Sequence, residues 1–247
     1  MTGRKLRFGA GEENAPLLSL GLEALVDPSS DREAYQRALD VLGWGLAVRL
    51  ASREIDVRGR TWYVAATAED LDGLGAGFIR GLREAGATVA VACLWIHRTQ
   101  VHTPEPVDVA QIVREYVEPP PSRVDHFVAL KSIIASSCVI RTSILRMLTA
   151  FEPSSIHVVA PVILAGAEER LESQFPASVA RRFRYLALAE DSVVDELGNV
   201  RPGVGGNVYQ RLGFDNQADK NAFFPNFLTE IMGSAPDRSR RSSSNGP

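Results

Sequence analysis

Four groups of residues in this sequence have the types and spacing to do chemistry. Glu69, Asp70 and Asp72 sit together in "ATAEDLDG", where a strand passes into a helix. Carboxylates there are favoured by the helix dipole. Facing a cleft, they would instead serve as an acid/base pair or a cation site. His97 and Arg98 close the apolar run "ATVAVACLWIHR", with His102 beyond them. An imidazole at a strand's carboxyl end is placed for proton transfer near neutral pH. The third group is "KSIIASSCVIR", which offers Lys131, Ser136, Ser137, Cys138 and Arg141 around a strand-to-helix turn. Hydroxyls, backbone N–H groups and a neighbouring cation suit a single phosphate, and a thiol at a helix N-terminus is a candidate nucleophile. The fourth is "GNVRPGVGGN", whose glycines let the backbone come very close to something. Supporting ligands for a metal lie at no useful spacing, so no metal is expected.

These groups need a scaffold, and the apolar pattern supplies one. "TWYVAAT", "ATVAVACLWI", "HFVAL", "IHVVAPVIL" and "YLALA" read as strands, the second apolar on both faces as in a buried parallel sheet. Helices are expected over "DLDGLGAGFIRGLREAG", "TSILRMLTAF" and "EERLESQF". A long amphipathic helix is expected in "SSDREAYQRALDVLGWGLAVRLAS", with Ser30 and Glu33 as a capping box. Such alternation gives an α/β fold, a mostly parallel sheet with helices on both faces. Ligands then bind at the carboxyl ends of the strands, where all four groups lie. Residues 1–15 read as a flexible arm, 16–234 as one domain, 99–123 as a loop-rich flap carrying "TPEP" and "EPPPS", and 235–247 as a disordered polar tail. His126 and His157 carry no special spacing and are expected to be structural. "NAFFPNF" is expected to pack on the body or on a partner subunit.

Of the 247 residues, 45% are hydrophobic and 23% charged, and the formal net charge is −3. That balance gives no sign of a nucleic-acid or anionic membrane partner. The longest apolar runs fall far short of the roughly 20 residues that span a bilayer, and no signal peptide is evident. With only Cys93 and Cys138, a reducing cytoplasmic setting is expected.

The order of segments over residues 16–214 resembles the uracil phosphoribosyltransferases. "VVAPVILAGAEERLESQFP" is similar to that family's strand, Ala-Ala-Pro-Glu-Gly turn and helix. "LALAEDSVVDELGNVRPGVGG" is similar to its segment ending Gly-Tyr-Ile-Val-Pro-Gly-Leu-Gly-Asp. The resemblance implies a phosphoribosyltransferase-type sheet with an N-terminal helical arm and a flap, and a homodimer. It also implies that a flat pyrimidine is read by the glycine loop, through Asn199, Val200, Pro202, Gly203, Gly205 and Gly206.

The chain departs from the family where phosphoribosyl pyrophosphate and Mg²⁺ would be held. Lys131 stands where the family's strand ends in Asp, and Ser137 and Cys138 replace two glycines of the phosphate loop. Near Ala68 the family's arginine is lost, and Glu69, Asp70 and Asp72 bring acid instead. Reversals of this kind, each of order 1–4 kcal/mol at a partly buried site, predict that ordinary phosphoribosyl transfer is gone. The expected function is binding of a small heterocycle, with changed chemistry carried by His97, Arg98, Glu69 and Asp70. The alternatives are a non-catalytic binding or scaffold relative, or a working transferase making UMP from uracil and phosphoribosyl pyrophosphate. Only the last would need Mg²⁺.

Overall fold

A computed structural model describes residues 3–52, 57–101, 107–196 and 198–233. The expected tail at 235–247, and His102, lie outside the described residues. The chain opens with a short strand, β1 (Arg4–Leu6), and two helices, α1 (Ala15–Val26) and α2 (Arg32–Ser52). β2 (Thr61–Thr67) runs into a helical stretch made of α3 (Ala68–Asp70), a π-helical turn (Leu71–Gly75) and α4 (Ala76–Glu84). β3 (Thr88–Val101) and β4 (Val107–Val117) follow, then β5 (His126–Leu130), β6 (Ile133–Ile134) and α5 (Cys138–Leu148). β7 (Ser155–Leu164), α6 (Ala167–Glu172), α7 (Ala177–Ala180) and β8 (Phe183–Asp191) complete the sheet. The C-terminal part holds β9 (Val193–Val194), β10 (Val200–Arg201), α8 (Val208–Arg211), α9 (Gln217–Ala222) and α10 (Asn226–Gly233).

The sheet order is β1-β8-β7-β5-β2-β3-β4, with β6 beside β7. Strands β8, β7, β5, β2 and β3 are mutually parallel, and the two edges, β1 and β4, are antiparallel. The expected α/β architecture is therefore present. One apolar layer joins α1, α2 and α4 to the face carrying Trp62, Val64 and Val128. The other joins α5 and α6 to the face carrying Tyr63, Phe127 and Val158. The parallel order reverses direction between β2 and β5, and ligands collect at the carboxyl ends of strands flanking such a reversal. Among the described residues, no helix is long and apolar enough to cross a membrane.

Three expectations need correction. The arm is not loose: β1 pairs with β8, Arg4 forks onto Asp191 at 2.8 and 2.7 Å, and Arg49 donates to Glu12 and to the Arg7 carbonyl. Asp31, not Ser30, caps α2. Its Oδ1 accepts the Ala34 N–H at 2.7 Å, while the Ser30 hydroxyl turns back to the Ala24 carbonyl. The flap is a β-hairpin, not loop-rich. β4 folds back along the outer half of β3, so both strands continue past the sheet's carboxyl edge.

Candidate functional site

The carboxyl ends of β2 and β5 lie side by side, and this adjacency joins residues far apart in sequence. Lys131 follows β5, and its ammonium donates to Asp70 Oδ2 at 2.9 Å, Glu69 Oε1 at 3.3 Å and Thr67 Oγ1 at 3.5 Å. Asp70 is held further by the Thr67 hydroxyl at 2.8 Å and the Ser132 N–H at 3.3 Å. The Glu69 and Asp70 side chains are 2% and 0% exposed, and Lys131 retains 13%. Burial alone would lower the Lys131 pKa. Asp70 and Glu69 outweigh it and hold the ammonium well above its ordinary value.

A second lysine completes the cluster from the C-terminal segment. Lys220, on α9, is fully buried, and its Nζ donates to the Ile96 carbonyl and to the Tyr209 hydroxyl at 3.2 Å. Glu69 Oε2 lies 4.0 Å away. Burial pulls the Lys220 ammonium below its usual value, with Glu69 opposing. Two carboxylates thus face two ammonium groups, and the cluster has no formal net charge.

Above the cluster opens a cleft of about 500 Å³, within the usual range for small-molecule sites. Lys131 and Arg98 line it, with Ile133 and Ala135 on the β5 side and Gly198, Asn199, Val200 and Gly206 on the loop side. Asn207, Tyr209 and Gln217 close it. Burial, reinforced by Glu69, pushes the Tyr209 phenol up to about 12.

The expected site residues divide. Asn199, Val200, Gly206, Lys131 and Arg98 border the cleft, whereas Pro202, Gly203 and Gly205 turn the other way. A Cβ on Gly205 would sit 2.0 Å from the Leu25 carbonyl, and one on Gly203 2.3 Å from that of Val200. Both residues have positive φ. The close approach these glycines allow is therefore to α1 and to the loop itself. Asp191 accepts the Gly203 N–H at 2.8 Å, and Tyr35 donates to the Val204 carbonyl at 3.0 Å, pinning the loop from behind. Gly206, like Gly198, stands with nothing within 4 Å of its would-be Cβ, beside the cleft.

His97 is half-buried within the β3–β4 pair, opposite Gln111, and not at a strand end. Neighbouring strand residues face opposite ways, so Arg98 lines the cleft and His97 does not. Asp72 is a helix cap: it accepts the Asn226 and Phe227 N–H groups at 2.9 Å, at the start of α10. Cys138 is buried in the apolar layer under α5. Ser136 is exposed and Arg141 half-buried, and neither borders the cleft. Ser137 keeps the left-handed backbone (φ 61°) suited to the glycine that the resemblance puts there, with its hydroxyl on the Ala167 carbonyl at 3.3 Å. The aromatic segment packs on the body: Trp95 donates to the Phe223 carbonyl at 2.7 Å, and Arg114 lies over Trp95 and Phe224. Tyr209, Gln217 and Lys220 were not anticipated; in sequence they are ordinary residues of a polar C-terminal stretch.

No protein-family model matches the sequence, and no curated protein matches it. Among solved structures, the AQ2163 protein from Aquifex aeolicus superposes with a TM-score of 0.61 at 14% identity. The match covers 81% of this chain and 96% of that one, so the two share a fold. A hypothetical protein from Neisseria gonorrhoeae with bound ppGpp matches more loosely, with a TM-score of 0.40, 10% identity and 64% and 82% of the two chains. For a hypoxanthine phosphoribosyltransferase from Staphylococcus aureus, the TM-score is 0.38 at 11% identity, over 67% and 83%.

Proposed function

We propose that this chain is a small-molecule-binding protein built on a phosphoribosyltransferase-like fold. Its cleft takes a neutral planar ring of about pyrimidine size, and it does not transfer a phosphoribosyl group. The observation that carries this reading is the closed cluster of Lys131, Asp70 and Glu69 at the β2/β5 junction. The two charge reversals of the sequence meet there as one ion-paired unit. Its lysine is spent on its own carboxylates, and its carboxylates are tied to a lysine. Such a unit fits neither a diphosphate, which needs uncommitted cations, nor Mg²⁺, which needs uncommitted oxygens. A neutral ring asks for neither and fits above a cluster without formal net charge.

Calorimetric titration tests this. Uracil is expected to bind, and phosphoribosyl pyrophosphate with Mg²⁺ is not. Micromolar binding of the sugar diphosphate would return the chain to the transferases.

A catalytic use of the same cleft has one atom in its favour. Glu69 Oε2 is buried without a hydrogen-bond partner, with the Lys220 ammonium 4.0 Å away, an unusual state for a carboxylate. Glu69→Gln separates the readings: a binding protein keeps its affinity for uracil and has no turnover to lose. An enzyme acting on a bound ring would lose its turnover by orders of magnitude.

A further inference from the structure

The hydrogen-bond polarity of one cleft group is fixed by a residue outside the cleft lining. A lysine ammonium has three donors and no acceptor, whereas a phenol has one donor and can accept. Lys220 Nζ is set among the Ile96 carbonyl, the Tyr209 oxygen at 3.2 Å and Glu69 Oε2 at 4.0 Å. The carbonyl and the carboxylate can only accept, which is the setting of an ammonium. The Tyr209 oxygen must then accept from Lys220, and its hydroxyl hydrogen is left over. Among the described residues, the Tyr209 hydroxyl takes part in one hydrogen bond, the one it accepts from Lys220. Tyr209 is half-buried and borders the cleft.

We infer that Tyr209 is a specificity-determining residue of the cleft, a hydrogen-bond donor whose direction Lys220 imposes as a positioning residue. This rests on the small-ring reading above and adds a requirement to it. The ligand must bring a carbonyl-type acceptor to the Tyr209 side, and a ring with a donor at that point is rejected. The rejection follows because two donors would face each other at the half-buried Tyr209 hydroxyl, leaving both without an acceptor. α8 and α9 carry the two residues, so the C-terminal segment is the source of this selectivity. Asn216 caps α9 through the Ala218 and Asp219 N–H groups at 2.8 and 3.0 Å, which fixes the turn from which Lys220 projects.

Two measurements decide it. In the free protein with ¹³C-labelled tyrosine, the Tyr209 Cζ resonance, assigned by its loss in Tyr209→Phe, is expected to move in Lys220→Met. If that variant does not fold, Lys220→Gln takes its place. An unmoved resonance in a folded variant overturns the assignment, whatever the ligand. The second measurement titrates uracil and cytosine, in which an amino donor replaces one carbonyl. Tyr209→Phe is expected to weaken uracil about tenfold, the equivalent of one hydrogen bond, and to leave cytosine unchanged. Lys220→Met is expected to narrow the gap between the two rings. Equal uracil affinity in wild type and Tyr209→Phe overturns the inference. If wild type binds neither ring while the resonance moves, the small-ring reading fails and the polarity of Tyr209 stands.

Discussion

Two buried polar clusters sit at opposite ends of the same strands, and they are built on different terms. At the carboxyl ends of β2 and β5, Thr67, Glu69, Asp70, Lys131 and Lys220 form a network of full charges beneath an open cleft. At the amino ends of β2, β5 and β7, the groups are formally neutral. His126 Nδ1 lies 2.7 Å from the Ser155 hydroxyl, which lies 2.8 Å from His157 Nε2, and Trp62 stacks on His126 at 4.2 Å. Burial lowers the pKa of both imidazoles, that of His157 to about 3. The difference follows from what lies above each cluster. Loops splay apart past the carboxyl ends and leave a cleft, where charges stay partly hydrated and can meet a ligand. At the amino ends the imidazoles are buried as hydrogen-bonded neutral groups, and the one buried carboxylate there, Asp125, is held by the Thr61 N–H at 3.0 Å and by Arg123 at 2.7 Å.

The largest effect should come from breaking the charged end. Lys131→Met leaves two buried carboxylates without their main cation and is expected to cost about 3–5 kcal/mol of stability, read by urea denaturation. Lys131→Met combined with Asp70→Asn should recover a good part of that loss. If the single variant is as stable as wild type, the cluster is not a coupled unit.

The neutral end should announce itself in acid. The folded pKa of His157 lies below its unfolded value of about 6.5, so the unfolded chain takes up the proton first. The stabilising contribution is complete above about pH 6.5 and is lost as the pH falls toward about 3. Its size is about 2–4 kcal/mol, after allowing for relaxation around the buried ring. His126 adds in the same direction, against Asp125 and with Arg60. His157→Gln is expected to flatten the stability profile between pH 6.5 and 4, and an unchanged slope would assign acid sensitivity to the carboxylates instead.

How visible each cluster is in the sequence depends on sequence distance. The parallel strands were legible because buried apolar runs leave little choice, and Lys131, Glu69 and Asp70 were each conspicuous as charges at strand ends. That they cancel one another was not legible: β2 and β5 become neighbours only through the sheet order. Lys220 gave no signal, since a lysine in "NQADKNAFF" reads as surface charge until α9 folds over Ile96. β4 was hidden by its flanking prolines and because "VDVAQIV" does not alternate strictly between apolar and polar residues. His126 and His157 were expected to be structural for want of any special spacing, and the serine between them in the hydrogen-bond chain went unread.

The glycine loop sharpens the comparison within the carboxyl end itself. Gly205→Ala sets a Cβ against the Leu25 carbonyl at a φ of 80° and is expected to cost about 2–3 kcal/mol, seen as a lowered Tm. Gly206→Ala meets no atom and pays only for its left-handed backbone, about 1 kcal/mol. Its larger consequence should be on uracil affinity, because the new methyl enters beside the cleft. Equal losses of stability in the two variants would mean that the loop moves as a unit, not pinned behind and free in front.

The smallest effect belongs again to the amino end. Ser155→Ala removes the hydroxyl that both imidazoles share, leaving two buried ring nitrogens without it. The expected cost is about 1–2 kcal/mol, with no change in ligand binding at the far end of the strands. Trp62 supplies a local readout, since its ring stacks on His126 and its fluorescence responds to the protonation state of that imidazole. Because burial and not the serine lowers both imidazoles, the acid quenching of Trp62 should stay below the ordinary imidazole range in this variant. If uracil affinity fell along with stability, the two ends would be energetically linked through β5 and β7. The division into a working end and a packed end would then not hold.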